Sequence, residues 1–280
     1  MIVKKLYFLM LFCTVAIISF GQKDTTAAKS AISQKQKKKQ DRINKINNLI
    51  KQEEEGALIY SKQSAFGFKL NSDGWGTFYE HGKYKTIRKT NLWWVELGER
   101  KSHKEEKVTA GQDIGGGFIL VGNPYIFGKQ NNFYYLKAGL GQQMLIGGKG
   151  NKNGVAVSAV YGGGLTMGYL KPYYLSVTDG EGNTKDIKYS DSTADQFLDA
   201  SIINGSSGFT KGFSEGKFVP GGYARLALRF DYGRYNELLS AIEVGVNAEY
   251  YTKKMPIMIN NPDKQFFFNG YVAIEFGRRK

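Results

Sequence analysis

Residues 265–276 read Gln-Phe-Phe-Phe-Asn-Gly-Tyr-Val-Ala-Ile-Glu-Phe, and two unlike residue sets alternate along them. Phe266, Phe268, Gly270, Val272, Ile274 and Phe276 form one set. Phe267, Asn269, Tyr271, Ala273 and Glu275 form the other. A helix of 3.6 residues per turn would mix the sets, whereas a strand sends them to opposite faces. One face is apolar and ends on an aromatic ring; the other carries an amide and a carboxylate. That pairing of faces suits a strand in a membrane barrel, with lipid on one side and a polar interior on the other.

The rest of the chain is compatible with one large β-domain. Its 280 residues are 14% aromatic and include 35 glycines but only 5 prolines. After the N-terminus no apolar run reaches the roughly 18 residues that a membrane-crossing helix needs. Barrel strands escape that criterion, because only every second residue faces lipid. Residues 1–21 have the pattern of a secretory signal peptide: Lys4 and Lys5, an apolar run from Leu6 to Phe20, and Ser19-Phe20-Gly21 before Gln22. The single cysteine, Cys13, lies within that apolar run, so the mature chain is expected to have neither disulfides nor thiolate chemistry. Removing Lys4 and Lys5 from the formal charge of +14 leaves 14 − 2 = +12. In a secreted barrel this excess points to an anionic, phosphorylated glycolipid surface rather than to nucleic acid.

Residues 22–56 form a separate segment, expected to be a periplasmic tether containing an amphipathic helix. Ile43, Ile46 and Ile50 recur at helical spacing, with Leu49 beside them. Its sharper role is docking a periplasmic protein through residues 31–55. Residues 57–280 are the barrel domain. Eight strands are expected near residues 64–71, 75–82, 91–100, 132–146, 155–170, 218–232, 238–251 and 265–276. Asp73-Gly74 marks a tight turn, because glycine tolerates the positive φ that a hairpin requires. Residues 83–90, 147–154 and 233–237 are short links. Residues 103–131, residues 171–217 and the Pro256–Pro262 region are longer, and a short helix is expected at 194–200. Short links at one end and long loops at the other are the pattern of outer-membrane barrels. The fold class is therefore all-β: a closed, antiparallel, eight-stranded transmembrane β-barrel preceded by a short N-terminal helix. It is expected in the cell outer membrane with both termini periplasmic.

Alternation also predicts what fills the interior. Lys69, Arg100, Lys137, Arg225 and Arg229 point inward, as do Glu80, Glu96, Asp231, Glu243, Glu249 and Glu275. Trp94, Gln143 and Asn269 accompany them. Five cations against six anions is close to balance. A selective pore carries an excess of one sign at its constriction, whereas a filled interior needs its charges paired. The expectation is a closed lumen in which Arg225 and Arg229 pair with Glu243, Glu249 and Glu275. The alternatives are a small porin or solute/lipid conduit, and an accessory subunit of an envelope assembly or secretion machine.

Catalytic patterns are weak. His81 and His103 are far apart in sequence and belong to no recognisable Ser/His/Asp set, nor to a metal-ligand spacing. Residues 147–150 lack the spacing of a phosphate-binding loop and suit a hairpin turn. Gly162-Gly163-Gly164 suits a strand bend or a place where bulky neighbours pack inward. No enzymatic activity, cofactor or metal is expected.

Several short stretches carry a resemblance: Phe20-Gly21-Gln22, Leu70-Asn71-Ser72-Asp73-Gly74-Trp75-Gly76, Leu136-Lys137-Ala138-Gly139-Leu140-Gly141, Lys171-Pro172-Tyr173-Tyr174 and Phe276-Gly277-Arg278. Over residues 57–278 the chain resembles small outer-membrane barrels of the transmembrane-OmpA type, more narrowly those of the Bacteroidota. The resemblance implies no catalytic residue. It implies partners in outer-membrane lipid and glycolipid, and recognition of Gly270, Ile274 and Phe276 as a C-terminal signal by the barrel-assembly machinery.

Overall fold

A computed structural model describes residues 37–44, 46, 60–86, 88–113, 119–150, 154–233 and 237–280. The expected signal peptide and most of the tether lie outside them. Two compact units are separated near residue 54. In the first, residues 37–44 and 46 are helical, with Ile43 and Ile46 exposed. Leu49 and Ile50 lie outside the described residues.

The second unit is built on eight long strands: β1 (Lys62–Asn71), β2 (Gly74–Thr86), β3 (Lys89–Arg100), β6 (Asn131–Gly147), β7 (Ala156–Pro172), β11 (Lys217–Asp231), β12 (Leu238–Met255) and β13 (Lys264–Arg279). They hydrogen-bond in the order β1-β13-β12-β11-β7-β6-β3-β2, and β2 returns to β1, closing the ring. Strand β1 pairs antiparallel with β13 from Gln63↔Arg279 to Asn71↔Tyr271. Closure leaves no unpaired edge in this sheet, which removes the liability of an open β-edge. The start of β1 meets the end of β13 there: the Ser61 and Lys62 amides donate to the Lys280 carbonyl.

The period of two governs the wall. On β13, Phe266, Phe268, Val272, Ile274 and Phe276 are exposed, while Asn269, Tyr271, Ala273 and Glu275 are buried. Strand β3 repeats the pattern with Trp93, Val95 and Leu97 outside and Trp94, Glu96 and Arg100 inside. Outside, the register aligns Trp75, Glu99, Tyr134, Tyr169 and Phe218 in one cross-strand row, four of the five aromatic. Inside, Phe78, Leu92, Trp94, Val160, Tyr223 and Tyr271 pack together in mid-barrel. The turn between β1 and β2 needs Gly74: its φ is 153°, and a Cβ there would lie 2.0 Å from the Glu99 carbonyl oxygen.

Three expected boundaries change. The basic link at 83–90 shrinks, because Lys83 and Tyr84 continue β2 by pairing with Asn91 and Thr90. No Gly, Pro or Asn marks that turn, so its length was hidden. The stretch 103–131 contains a hairpin of β4 (Lys107–Asp113) and β5 (Ile119–Ile126). The stretch 171–217 contains β8 (Tyr174–Thr178), β9 (Thr184–Lys188) and β10 (Ile203–Ser206), paired in the order β10-β8-β9. The expected helix at 194–200 is a single turn, Ala194–Phe197. This lobe has its own core of Tyr125, Leu175, Val177, Ile187, Phe197 and Ile203. Leu175 alternating with Val177, then the glycine-containing turn after Asp179, was the available sequence signal.

Candidate functional site

The inward faces form two charged layers around Trp94. In the first layer, Arg229 on β11 lies 2.7 Å from Glu80 on β2, 2.7 Å from Glu243 on β12 and 3.1 Å from Glu275 on β13. Arg225, two inward positions along β11, donates to Glu80 at 2.7 Å. The Tyr271 hydroxyl donates to Glu243 at 2.6 Å. In the second layer, Lys69 lies 2.5 Å from Glu96, and Lys137 lies 2.7 Å from Glu249 and 3.4 Å from Glu96. Arg100 forks between Glu249 and Asp73. Tyr135 and Tyr251 donate to Glu96 and Glu249, each at 3.0 Å. A smaller group, Asp231 with Arg279 and Lys149, closes the terminal end.

The connectivity matters more than the number of pairs. Only Arg229–Glu243 and Glu96–Lys137 are direct cross-strand neighbours. Strands β11 and β2 stand four places apart in a ring of eight, so the Arg225–Glu80 and Arg229–Glu80 contacts span the barrel. Strands β3 and β12 are likewise four places apart, and Arg100–Glu249 spans it again. Between the layers, the Arg225 guanidinium stacks 3.8 Å from the Trp94 ring centroid. The other side of that indole rests on a glycine floor: a Cβ on Gly139, Gly141 or Gly162 would meet it at 2.7–2.9 Å. Gly162 is thus one of the places where a bulky neighbour packs inward.

All eleven expected interior charges lie inside, but their partners differ from expectation. Glu249 pairs with Arg100 and Lys137 rather than with Arg225 or Arg229. Six residues separate it from Glu243 on the same strand, about 20 Å of strand length, which puts it in the other layer. Glu80 takes its place. Sequence reasoning missed Asp73, Lys149 and Arg279: two sit in turns and one at the chain end, where alternation says nothing about direction. Adding Lys149 and Arg279 to the five cations, and Asp73 to the six anions, gives seven of each. Gly270, Ile274 and Phe276 lie on β13 with Ile274 and Phe276 exposed on the outer wall.

The two histidines sit in different surroundings. His81 Nδ1 lies 2.9 Å from Ser64 Oγ, and the ring tilts against Trp93. Among the described residues no carboxylate hydrogen-bonds that imidazole, so the third member of a triad is missing. His103 borders a small cavity between the loop after β3 and the loop after β12.

Several solved structures are similar to this chain. Ail, the attachment invasion locus protein of Yersinia pestis, solved with the heparin analogue sucrose octasulfate, is 9% identical, with a TM-score of 0.34 over 79% of this chain and 100% of its own. Neisserial surface protein A is 10% identical, with a TM-score of 0.34 over 78% of this chain and 94% of its own. The N-terminal β-barrel domain of Pseudomonas aeruginosa OprF is 8% identical, with a TM-score of 0.31 over 78% and 98%. No protein-family model and no curated protein sequence matches.

The lobe beyond the barrel is tied by exposed ion pairs. Glu215 accepts from Lys188 and, at 2.8 Å, from the Tyr174 hydroxyl; Asp186 lies 2.6 Å from Lys211. The hydrogen bond from Lys188 holds the Glu215 carboxyl below its usual range, and that from Lys211 does the same for Asp186. A carboxyl depressed in the folded state stabilises above its unfolded pKa and loses that contribution as pH falls through the folded value. Amides of β8 and β9 are therefore expected to exchange hydrogen faster on acidification, once the intrinsic chemical rate is corrected for. Unchanged protection would show that these pairs do not hold the lobe.

Proposed function

We propose that this chain is an outer-membrane β-barrel with a filled, non-conducting interior and a structural or interaction role carried by its long-loop end. One observation carries the plugged reading. The ion pairs that span the ring involve Glu80, Arg225 and Arg229, whose side chains are 0% exposed, which supports a barrel interior closed to water. An eight-stranded barrel is wide enough only for its own side chains, and these complete the filling with balanced charge.

The wall supports the membrane location. From Phe266 to Phe276 the exposed apolar face of β13 runs over ten residue steps. That is about 34 Å of strand, or about 26 Å of height at a tilt near 40°, close to the ~25 Å apolar band of such barrels. The start of β1 and Lys280 lie at the end with the short turns, which supports reading that end as periplasmic and the β4–β5 and β8–β10 lobe as facing outside. Outer-membrane lipid and glycolipid are the partners of the wall. The barrel-assembly machinery is the partner of the strand bearing Gly270, Ile274 and Phe276. Residues 31–55 are the candidate docking segment for a periplasmic protein.

In planar bilayers the purified full chain is expected to give no steady openings. Steady single-channel conductance would replace the plugged reading with the small-porin one. Extraction in detergent with a gel shift on heating is expected for the folded barrel; a mature chain soluble without detergent would overturn the membrane location.

A further inference from the structure

Against the outside of the wall, beneath the lobe, lies a groove of about 800 Å³. Its floor is part of the apolar outer face: Leu97, Leu136 and Met167 are cross-strand neighbours on β3, β6 and β7, and Phe218 of β11 adjoins them. Phe209 and Phe213 from the loop between β10 and β11 form its roof. Its upper rim is basic, with five lysines against Glu99 and Glu105.

Three of the lysines have a carboxylate within 4.0 Å: Lys101 with Glu99, Lys129 with Glu105, and Lys211 with Asp186. Lys107 and Lys171 have none within that distance among the described residues. Lys107 is exposed at the start of β4. Lys171 is only 2% exposed. Its ammonium donates to the Phe209 carbonyl and sits 4.6 Å from the Phe209 ring centroid and 4.5 Å from that of Phe213. A buried ammonium without a counter-anion is costly unless an anion is supplied to it. Here it borders a cavity whose floor is continuous with the lipid-facing wall.

We infer that this groove seats one phosphorylated glycolipid of the outer leaflet, with an acyl chain along Leu97, Leu136 and Met167 and a phosphate between Lys171 and Lys107. Apolar floor and cationic rim follow one another in the order that such a lipid presents chain and headgroup. On β7 Lys171 lies two residues beyond Tyr169 of the aromatic row, on the side of the wall's rim where headgroups begin. This inference rests on the outer-membrane reading above and assigns a specific site within it.

Native mass spectrometry of the full chain in detergent, with added diphosphorylated lipid A, tests the site. One retained adduct per chain is expected. Lys171→Gln combined with Lys107→Gln is expected to weaken retention at least ten-fold, as is removal of both phosphates from the lipid. Lys107→Gln alone, which changes only an exposed side chain at the start of β4, is expected to weaken it by a few-fold and serves if the Lys171 variant does not assemble. Equal retention by the lysine variants, equal retention of the dephosphorylated lipid, or competition by inorganic phosphate as effective as that by lipid A would each overturn the site. A heat-modifiable, detergent-requiring barrel without an adduct removes this inference alone, whereas a water-soluble chain removes the membrane reading with it.

Discussion

Arg229→Ala is expected to lower the unfolding free energy of the barrel by about 3–5 kcal/mol, because it leaves buried carboxylates without their partner. The measurement is a urea titration in detergent, followed by the gel shift that separates folded from unfolded chain. The effect should divide unequally among the three acids that meet Arg229. Glu80 and Glu243 each keep Arg225, at 2.7 and 3.8 Å. Glu275 has no ion-pair partner besides Arg229 among the described residues, and neither of its oxygens forms a hydrogen bond of good geometry. Glu275→Ala added to Arg229→Ala should therefore recover part of the loss, with a coupling of about 1–3 kcal/mol in the double-mutant cycle. Additive effects, or an Arg229→Ala barrel as stable as the parent, would show that the spanning pairs do not hold the interior.

Gly164→Val should have a larger effect, preventing assembly rather than weakening the product. A Cβ at this position would lie 2.1 Å from the Ala138 carbonyl oxygen and 2.6 Å from the Gly139 Cα. Both are backbone atoms of the neighbouring strand, paired with β7 through Gly139↔Gly164. A backbone held in a ladder cannot step aside as a side chain can, so relief requires opening the β6–β7 seam. We expect a loss above about 4 kcal/mol, in the exceptional range for a single substitution, seen as chain that never acquires the heat-modifiable form. Gly222→Ala is the control. The nearest atom to its Cβ would be the Gly164 carbonyl oxygen at 3.8 Å, an ordinary contact, and the change should stay within about 1 kcal/mol. Normal assembly of Gly164→Val would mean that the strands pass each other with more room than the structure gives them.

Much of the wall was legible without coordinates, since direction along a strand depends only on residue parity. Glu243 and Glu249 must both point inward if either does, and Phe266 and Phe276 must both point outward. The positions of the eight barrel strands followed from the same signal together with glycine-bearing turns such as Asp73-Gly74. Turns without that chemistry were misjudged, as at 83–90, where Lys83 and Tyr84 extend β2. The β8–β10 part of the lobe was missed because its strands are four or five residues long, too short for periodicity to stand out from a polar loop.

Parity thus determined which side chains enter the interior and which face lipid, and the near-balance of their charges was already visible. Partners were decided only by closure. Arg229 and Glu80 lie 149 residues apart and meet because eight strands bend round until β11 faces β2. Sequence order carries neither that curvature nor the heights at which the two strands stand. The same holds for Lys171: its place in the chain shows a lysine at a strand end, and only the folding back of Phe209 and Phe213 buries it beside an apolar groove.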